Sequence, residues 1–409
     1  MPRIVMKFGG TSIADLHRIE SVAQIVKKEL KKDYQIIVVV SAMVGATDEL
    51  ITKIESMTKL YDAREFSAIV SSGENVTAGL LSLNLQKIGI HARSWQGWQI
   101  PILTSNEHSS ARILEVKTER LNEKFSEGME VAVVAGFQGI ASDGRITTLG
   151  RGGSDTSAVA LAAAIQAERC DIYTDVDGIY TTDPRVCRRA RKLSRISYEE
   201  MLEMASLGAK VLQTRSVELA TRYNVRLKVL SSFSDNSEGT LVCDEGDMME
   251  NNVISGVAFS REEAKLTLSG IEDRPGIAAT IFGPLADIGV NVDMIVQNIS
   301  DNGLTDLTFS CPIDQVFRAQ EALKSAKDSG VLRYKNLLLD KEIAKISIVG
   351  IGMKTHAGIA KKMFEALASE SINIIVISTS EIKISVLIER KYLELAVQTL
   401  HDTFELDKV

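Results

Sequence analysis

Four short runs of β-branched and aliphatic residues, RIVMKF, YQIIVVVSA, VAVVAGFQG and CDIYTDVDG, punctuate the first half of the chain, each bounded by Gly, Ser or Asp. Runs of this length and composition predict strands buried on both faces. Between them lie longer stretches such as ADLHRIESVAQIVKKEL, with apolar residues at three- and four-residue steps and lysine near the end. These predict amphipathic helices. Strands alternating with helices leave few folds open. Parallel neighbours need a crossover, the crossover is usually a helix, and the outcome is an α/β unit with a mainly parallel sheet sandwiched by helices. The pattern stops near SEGTLVCDEGDMMENN, where the chain turns polar and acidic, and a boundary is expected at about residue 250.

Beyond that boundary the chain repeats itself. One copy starts at Ala264 and a second at Ala344. Gly270 matches Gly350; after a two-residue insertion, Gly276 matches Gly358, Phe282 matches Phe364, Leu285 matches Leu367 and Asn291 matches Asn373. Each copy reads as a ferredoxin-like βαββαβ module, and two copies suit a paired module better than a solenoid. The expected division is 1–250, 251–340 and 341–409, with the stretch 253–260 available as a further strand for the last module.

Composition narrows the class. The 409 residues are 45% hydrophobic and 25% charged, ordinary for a globular protein, and the net charge of −7 argues against a nucleic-acid partner. Four dispersed cysteines form no C-x-x-C pair, and five scattered histidines show no ligand spacing. No apolar run approaches the roughly 20 residues that span a bilayer, and the N-terminus has no signal-like apolar region. A cytoplasmic protein with no membrane partner is expected. Trp95 and Trp98 are expected to pack between helix and sheet.

The chemistry is expected in four segments that fall where strands end: KFGGTS (7–12), SAMVGATDEL (41–50), GRGGSDTSAVALAAA (150–164) and YTDVDGIYTTDPR (173–185). In open α/β sheets ligands bind beyond the carboxyl ends of the strands, so these loops can converge on one site. Glycines let backbone N–H groups approach an anion, and Lys7 adds a point charge. In the third segment Ser154, Asp155 and Thr156 are read as helix caps, with Arg151 just before them. Neither a Walker-type P-loop nor a protein-kinase glycine loop is present.

Taken together, VMKFGGTS, VVVSAMVGATDEL, SSGEN, LGRGGSDTSA, YTDVDGIYTTDPR and GAKVL resemble the aspartate kinases of the amino acid kinase superfamily, in order and over the whole chain. The C-terminal pair resembles the tandem ACT modules of that family. The resemblance implies a catalytic domain over 1–250 that moves the ATP γ-phosphoryl group to the β-carboxylate of L-aspartate, under feedback control by lysine, threonine or both.

The same resemblance implies residue roles. Lys7, Arg151 and Asp155 would be catalytic, with Asp155 orienting Lys7 by an ion pair. ATP would be held by Lys7, Phe8, Gly9, Gly10, Ser41, Ser154, Tyr173, Thr174, Asp175, Tyr180, Arg185, Lys210 and Val211. Aspartate would be held by Thr47, Glu74, Arg151, Gly152, Gly153 and Ser154, Arg151 on its α-carboxylate and Glu74 on its ammonium. Mg²⁺ is implied between the ATP phosphates, with no residue assignable as its ligand. Effectors would meet Asp273, Gly276, Ile277, Ala278, Asn291 and Gln297, closed by Asn373 and Ile374 of a second copy. A mirrored site would use Ile359, Ala360, Ser380, Glu381 and Asp293. A homo-oligomer through the ACT modules follows, and the Met248-Met249 pair is a candidate internal start for a separate regulatory subunit. Two other readings compete with this one. A glutamate or carbamate kinase is disfavoured by the paired modules and GRGGSD, and a decayed effector-binding protein by the intact Lys7, Glu74, Arg151 and Asp155.

Overall fold

The computed structural model describes residues 1–207, 211–234, 238–247, 253–299, 303–354, 356 and 358–408. The Met248-Met249 pair and Lys210 lie outside the described residues. The chain forms two compact units. One holds Met1–Tyr180, Lys192–Ser206 and Lys210–Met249; the other holds Thr181–Arg191, Leu207–Ala209 and Glu250–Val409.

The first unit is built on an eight-stranded sheet. Its order is Arg195–Ser197, Thr240–Cys243, Leu227–Ser231, Arg169–Thr174, Arg3–Phe8, Gln35–Val40, Val131–Ala135, Ala92–Trp95. Every neighbouring pair is parallel except Leu227–Ser231 with Thr240–Cys243. The central strands are continuous apolar runs, buried from the second residue onward in Arg3–Phe8 and Gln35–Val40, as covering a parallel sheet on both faces requires. Helix Leu16–Leu30 begins where the Asp15 side chain accepts the Arg18 N–H at 2.8 Å, and it turns Ile19, Val22, Ala23 and Val26 into the core.

A second, four-stranded sheet of the strands Ile113–Val116, Ile102–Thr104, Gln138–Ile140 and Ile146–Thr148 was not expected. Strands of three or four residues carry too few alternations to be read from a pattern. Trp98 also departs from expectation. It is 48% exposed: a Cβ on the preceding Gly97 would fall 2.8 Å from the Gln138 carbonyl oxygen, so the backbone lies against that strand there and the next side chain is left outside.

The second unit is a six-stranded antiparallel sheet in the order Ile295–Ile299, Leu304–Pro312, Gly256–Glu272, Asn336–Val349, Lys383–Glu389, Val376–Thr379. The two repeats appear as two helix-covered cores, one around Leu266, Ile281, Phe309 and Leu323, the other around Ile346, Met363, Val386 and Val397. The matched glycines are structural equivalents: Gly276 (φ 88°) and Gly358 (φ 97°) each precede the first helix of their copy in a left-handed conformation. The second copy, however, ends on helix Leu393–Thr403. Its remaining neighbour is Gly256–Ser260, which precedes the first copy and pairs with Lys345–Val349.

Thr181–Arg191 belongs to this second unit although it lies well before Glu250 in the chain. The Val257 N–H donates to the Thr181 carbonyl at 2.7 Å, Gln398 donates to the Val186 carbonyl at 2.9 Å, and Arg189 pairs with Asp402 at 3.1 Å. Fully buried His401 meets the Thr181 hydroxyl through Nε2 at 2.9 Å. Burial holds its imidazole below the ordinary value. The unfolded chain therefore takes up a proton near pH ~6.5 that the folded unit resists. Stability from this group is complete above that pH and is lost as the pH falls through it. The thermal midpoint should fall more steeply between about pH 7 and 5.5 in the wild type than in His401→Gln. Equal slopes would remove His401 from the pH response.

Candidate functional site

Four parallel strands end level with one another. Phe8 is in register with both Val40 and Tyr173, and Val40 with Ala135, so Gly9, Ser41 and Gly136 leave the sheet along one edge, level with the end of Arg169–Thr174. The chain passes from Arg3–Phe8 to Gln35–Val40, Ala92–Trp95 and Val131–Ala135, all on one side, and reaches Arg169–Thr174 on the other side only later. Arg3–Phe8 is therefore a switch in strand order, where the loops part and leave a crevice.

Lys7 stands at this edge and its ammonium meets Asp155 Oδ1 at 2.5 Å, both side chains about nine-tenths buried. A Cβ on Gly9 would come within 3.3 Å of the Lys7 nitrogen, and one on Gly10 within 3.1 Å of the Ala42 carbonyl. Gly9 thus passes close to the lysine, and Gly10 close to the neighbouring strand end. Phe8 stacks on Tyr173 with centroids 4.5 Å apart, and the Gly9 N–H donates to the Tyr173 carbonyl at 3.3 Å.

Helix Gly153–Ala164 brings Ser154 and Asp155 in its first turn and points its N-terminus at the same edge. Its cap is Gly152 (φ 69°), not Ser154, Asp155 or Thr156. Those three lie inside the helix; the Thr156 hydroxyl donates back to the Gly152 carbonyl and that of Ser157 to Gly153. No capping side chain competes for the first N–H groups, which suits an anion there. Arg151, just before the helix, is exposed.

Glu74, in the first turn of helix Ser72–Lys87, is 4% exposed and accepts the Ala42 N–H on Oε1 at 3.1 Å. Its Oε2 has no hydrogen-bond partner among the described residues. Burial penalises its charge and pushes the carboxyl up to about 7, with the backbone N–H donors acting the other way. Thr47 is half-buried in the first turn of helix Ala46–Met57, after Gly45 (φ 78°).

Lys7, Gly9, Gly10, Ser41, Glu74, Ser154, Asp155 and Tyr173 are thus gathered by the strand ends and two helix starts of one unit. Asp175 accepts from the Thr174 hydroxyl at 3.0 Å, and Tyr180 donates to Asp177 at 2.8 Å. Val211 is half-buried beside the undescribed Lys210. Arg185 belongs to the other unit, where its guanidinium forks onto Asp183.

Sequence reasoning missed Gly136. A Cβ there would lie 2.9 Å from the Ser154 side chain, so a glycine at that strand end makes room for the helix start. The signal was visible as a Gly closing VAVVA. Phe137 (φ 68°), whose N–H donates to Ser157 at 3.1 Å, carried none.

In the second unit Asn291 and Gln297 are exposed, and the Asp273 N–H donates to the Gly303 carbonyl at 3.0 Å. Asp293 is ion-paired with Lys345, which also lies 3.7 Å from Glu263. Met294 packs with Ile343, Leu387, Ile375 and Val376, so the segments after Asn291 and Asn373 approach each other. Ser380 and Glu381 sit in the turn between Val376–Thr379 and Lys383–Glu389, at the far end of that hairpin from Ile375. Asp293 precedes Met294, which packs at the Ile375 end of the hairpin, whereas Glu381 lies in its turn.

The amino acid kinase family model matches residues 2–231, and ACT domain models match 266–328 and 346–404. The chain is 52% identical to an aspartate kinase of Pseudomonas putida over 100% of its own length and 98% of the relative's. It is similar to the structure of E. coli aspartokinase III in complex with aspartate and ADP (R-state), with TM-score 0.81, 27% identity, and 98% of this chain and 99% of that one covered. The same protein in complex with lysine and aspartate (T-state) matches with TM-score 0.76, 28% identity and the same coverage.

The Lys7–Asp155 pair tests the site independently of activity. Removing one partner of a buried pair strands the other charge and costs about 3–5 kcal/mol, whereas replacing both by apolar groups can be near neutral. Asp155→Ala should lower stability by about 3 kcal/mol in denaturant unfolding. Lys7→Met combined with Asp155→Leu should recover most of that loss. Additive losses would show that the two charges do not depend on each other.

Proposed function

The chain belongs to the aspartate kinases, and we propose that its first unit uses the Lys7 edge to transfer the ATP γ-phosphoryl group to the β-carboxylate of L-aspartate. A carboxylate oxygen attacks the γ-phosphorus, the bond to the β,γ-bridging oxygen breaks, and ADP leaves with that electron pair. The products are ADP and 4-phospho-L-aspartate. The nucleophile, with a pKa of about 4, is already ionised at neutral pH and needs no general base. Catalysis reduces to positioning and charge neutralisation. The observation that carries this reading is the Lys7–Asp155 pair at 2.5 Å, between the Gly9–Gly10 backbone and the open start of helix Gly153–Ala164.

In this reading Lys7 neutralises the transferring group while Asp155 fixes its direction. Gly9, Gly10, Ser41 and Ser154 line the phosphates, and Tyr173 to Asp175, Tyr180 and Val211 border the rest of the nucleotide. Arg151 forks onto the aspartate α-carboxylate, Glu74 receives the ammonium, and Thr47, Gly152 and Gly153 complete the contact. Among the described residues no three His, Cys, Asp or Glu side chains converge as a metal site. Mg²⁺ would be carried on phosphate oxygens, where it would screen their charge. ATP-dependent trapping with hydroxylamine tests the reaction: aspartyl hydroxamate should form, and preference for L-glutamate would overturn the assignment. Lys7→Ala should lower kcat far more than it raises either KM.

Glu74 adds a pH signature. Its carboxyl is pushed up to about 7 in the free protein, so acidification protonates the group that must receive the ammonium. KM for aspartate should rise as the pH falls from about 8 to about 6. In Glu74→Gln it should be high and nearly flat. A pH-dependent KM that survives the substitution would exclude Glu74.

The product commits aspartate carbon to lysine, threonine, methionine and diaminopimelate, in the cytoplasm, and the ACT pair is read as their feedback sensor. No helix among the described residues is long and apolar enough to cross a membrane. Threonine is assigned to the amides of Gly276, Ile277 and Ala278 with Asp273, Asn291 and Gln297, closed by Asn373 and Ile374 of a second copy. Lysine is assigned to Ile359, Ala360, Ser380 and Glu381 with Asp293. A homo-oligomer follows from sites shared between chains, and an internal start at Met248-Met249 would add a regulatory subunit. Binding at both sites should inhibit more than either alone. Glu381→Ala should relieve lysine inhibition with kcat largely intact; full inhibition by lysine in that variant would refute the assignment.

A further inference from the structure

Arg215 lies in the first turn of helix Thr214–Tyr223, half-buried and with no ion pair to a described residue. A guanidinium held away from full hydration normally meets a carboxylate. This one instead donates from Nη1 to the Leu149 carbonyl at 2.9 Å and from Nη2 to the Ala111 carbonyl at 2.7 Å. The two carbonyls are far apart in sequence but adjacent in space, since the Ala111 N–H donates to the Thr148 carbonyl at 2.9 Å. Leu149 is the last residue before the segment Gly150–Gly152, which carries Arg151 and leads into the helix start at Gly153.

Other contacts converge on the same loop. The Leu149 N–H donates to the Phe137 carbonyl at 2.9 Å, so with Arg215 on its carbonyl both of its backbone polar groups are anchored. Gly150 (φ 76°) has room for a Cβ only 3.2 Å from the Ser109 carbonyl, and a Cβ on Gly152 would fall 1.9 Å from Gln213 Cγ. The start of helix Thr214–Tyr223 thus backs the loop with Gln213 against Gly152 and Arg215 beneath Leu149. A segment of two glycines and one arginine has little stiffness of its own. Charge-assisted hydrogen bonds from a planar fork are strong and directional, and so can supply it.

We propose that Arg215 is a positioning residue for aspartate recognition: it clamps the Leu149 and Ala111 carbonyls and thereby fixes where Arg151 stands. This rests on the reading that Arg151 grips the aspartate α-carboxylate. Arg215 itself touches no substrate. The geometry separates it from Arg151, whose guanidinium is exposed and available to a ligand.

Hydrogen exchange on the full-length enzyme tests the clamp without reference to activity. In Arg215→Ala the amides of Ala111, Leu149 and Gly153 should exchange faster than in the wild type, with strand Arg3–Phe8 unchanged. In the same variant KM for aspartate should rise about tenfold, as expected when a binding group is misplaced, while KM for ATP stays within about twofold. Arg215→Lys, which keeps the charge but not the fork, should fall between, and serves as the test if the alanine variant does not fold. Guanidinium added to Arg215→Ala well below denaturing concentration should restore part of the aspartate affinity. Unchanged exchange at the three amides, or equal rises in both KM values, overturns the clamp. Arg151→Lys is assayed in parallel: an unchanged aspartate KM there would instead overturn the reading of Arg151, while the exchange result still decides the clamp.

Discussion

The strand Arg3–Phe8 is buried from Ile4 onward on both faces of a parallel sheet, yet it carries a lysine one residue before its end. Desolvating an ammonium costs several kcal/mol unless an opposite charge meets it. That charge comes from Asp155, far along the chain, on a helix whose own first turn is almost fully buried. Much of the site's arrangement answers this constraint. Helix Gly153–Ala164 must approach the strand ends closely, which Gly136 permits by leaving space for Ser154. The preceding loop must turn sharply into the helix, which Gly150 and Gly152 permit by adopting positive φ. The same requirements leave the first N–H groups of the helix open beside a cation, so one electrostatic solution stabilises the fold and prepares the edge for a phosphate.

The second unit solves a different problem. Two βαβ repeats that each needed a complete sheet would expose four edge strands, and unpaired edges invite association. Here the long strands Gly256–Glu272 and Asn336–Val349 serve both repeats, and one six-stranded sheet results. Ion pairing follows the same economy. Lys345 lies between Asp293 and Glu263, so a segment of the first repeat is tied to a strand of the second. Thr181–Arg191 adds a third component to this unit. It reaches the second repeat's final helix through His401, Gln398 and Asp402, and continues directly from Tyr180 of the first unit.

The periodicity of the chain determined a good deal by itself. Short, mostly apolar β-branched runs such as IVMKF and IIVVV, bounded by turn residues, mark buried strands, and 3.6-residue patterning such as that of Leu16–Leu30 marks an amphipathic helix, because that pattern matches one backbone period. The repeat from Ala264 and Ala344 and the placing of the Gly-, Ser- and Asp-rich segments at strand ends were legible from local pattern, whereas the association of Lys7 with Asp155 was implied only by resemblance. Tertiary structure alone decided the rest. The strands of the small sheet are too short to carry a period. Gly152 rather than Ser154 caps its helix, because the loop needs positive φ where it enters, and a capping preference does not record that demand. The contact of Arg215 with Leu149 and Ala111 reaches backbone carbonyls, which every residue carries alike. A sequence encodes side-chain chemistry position by position; which distant carbonyl an arginine reaches is set only when packing brings the two together.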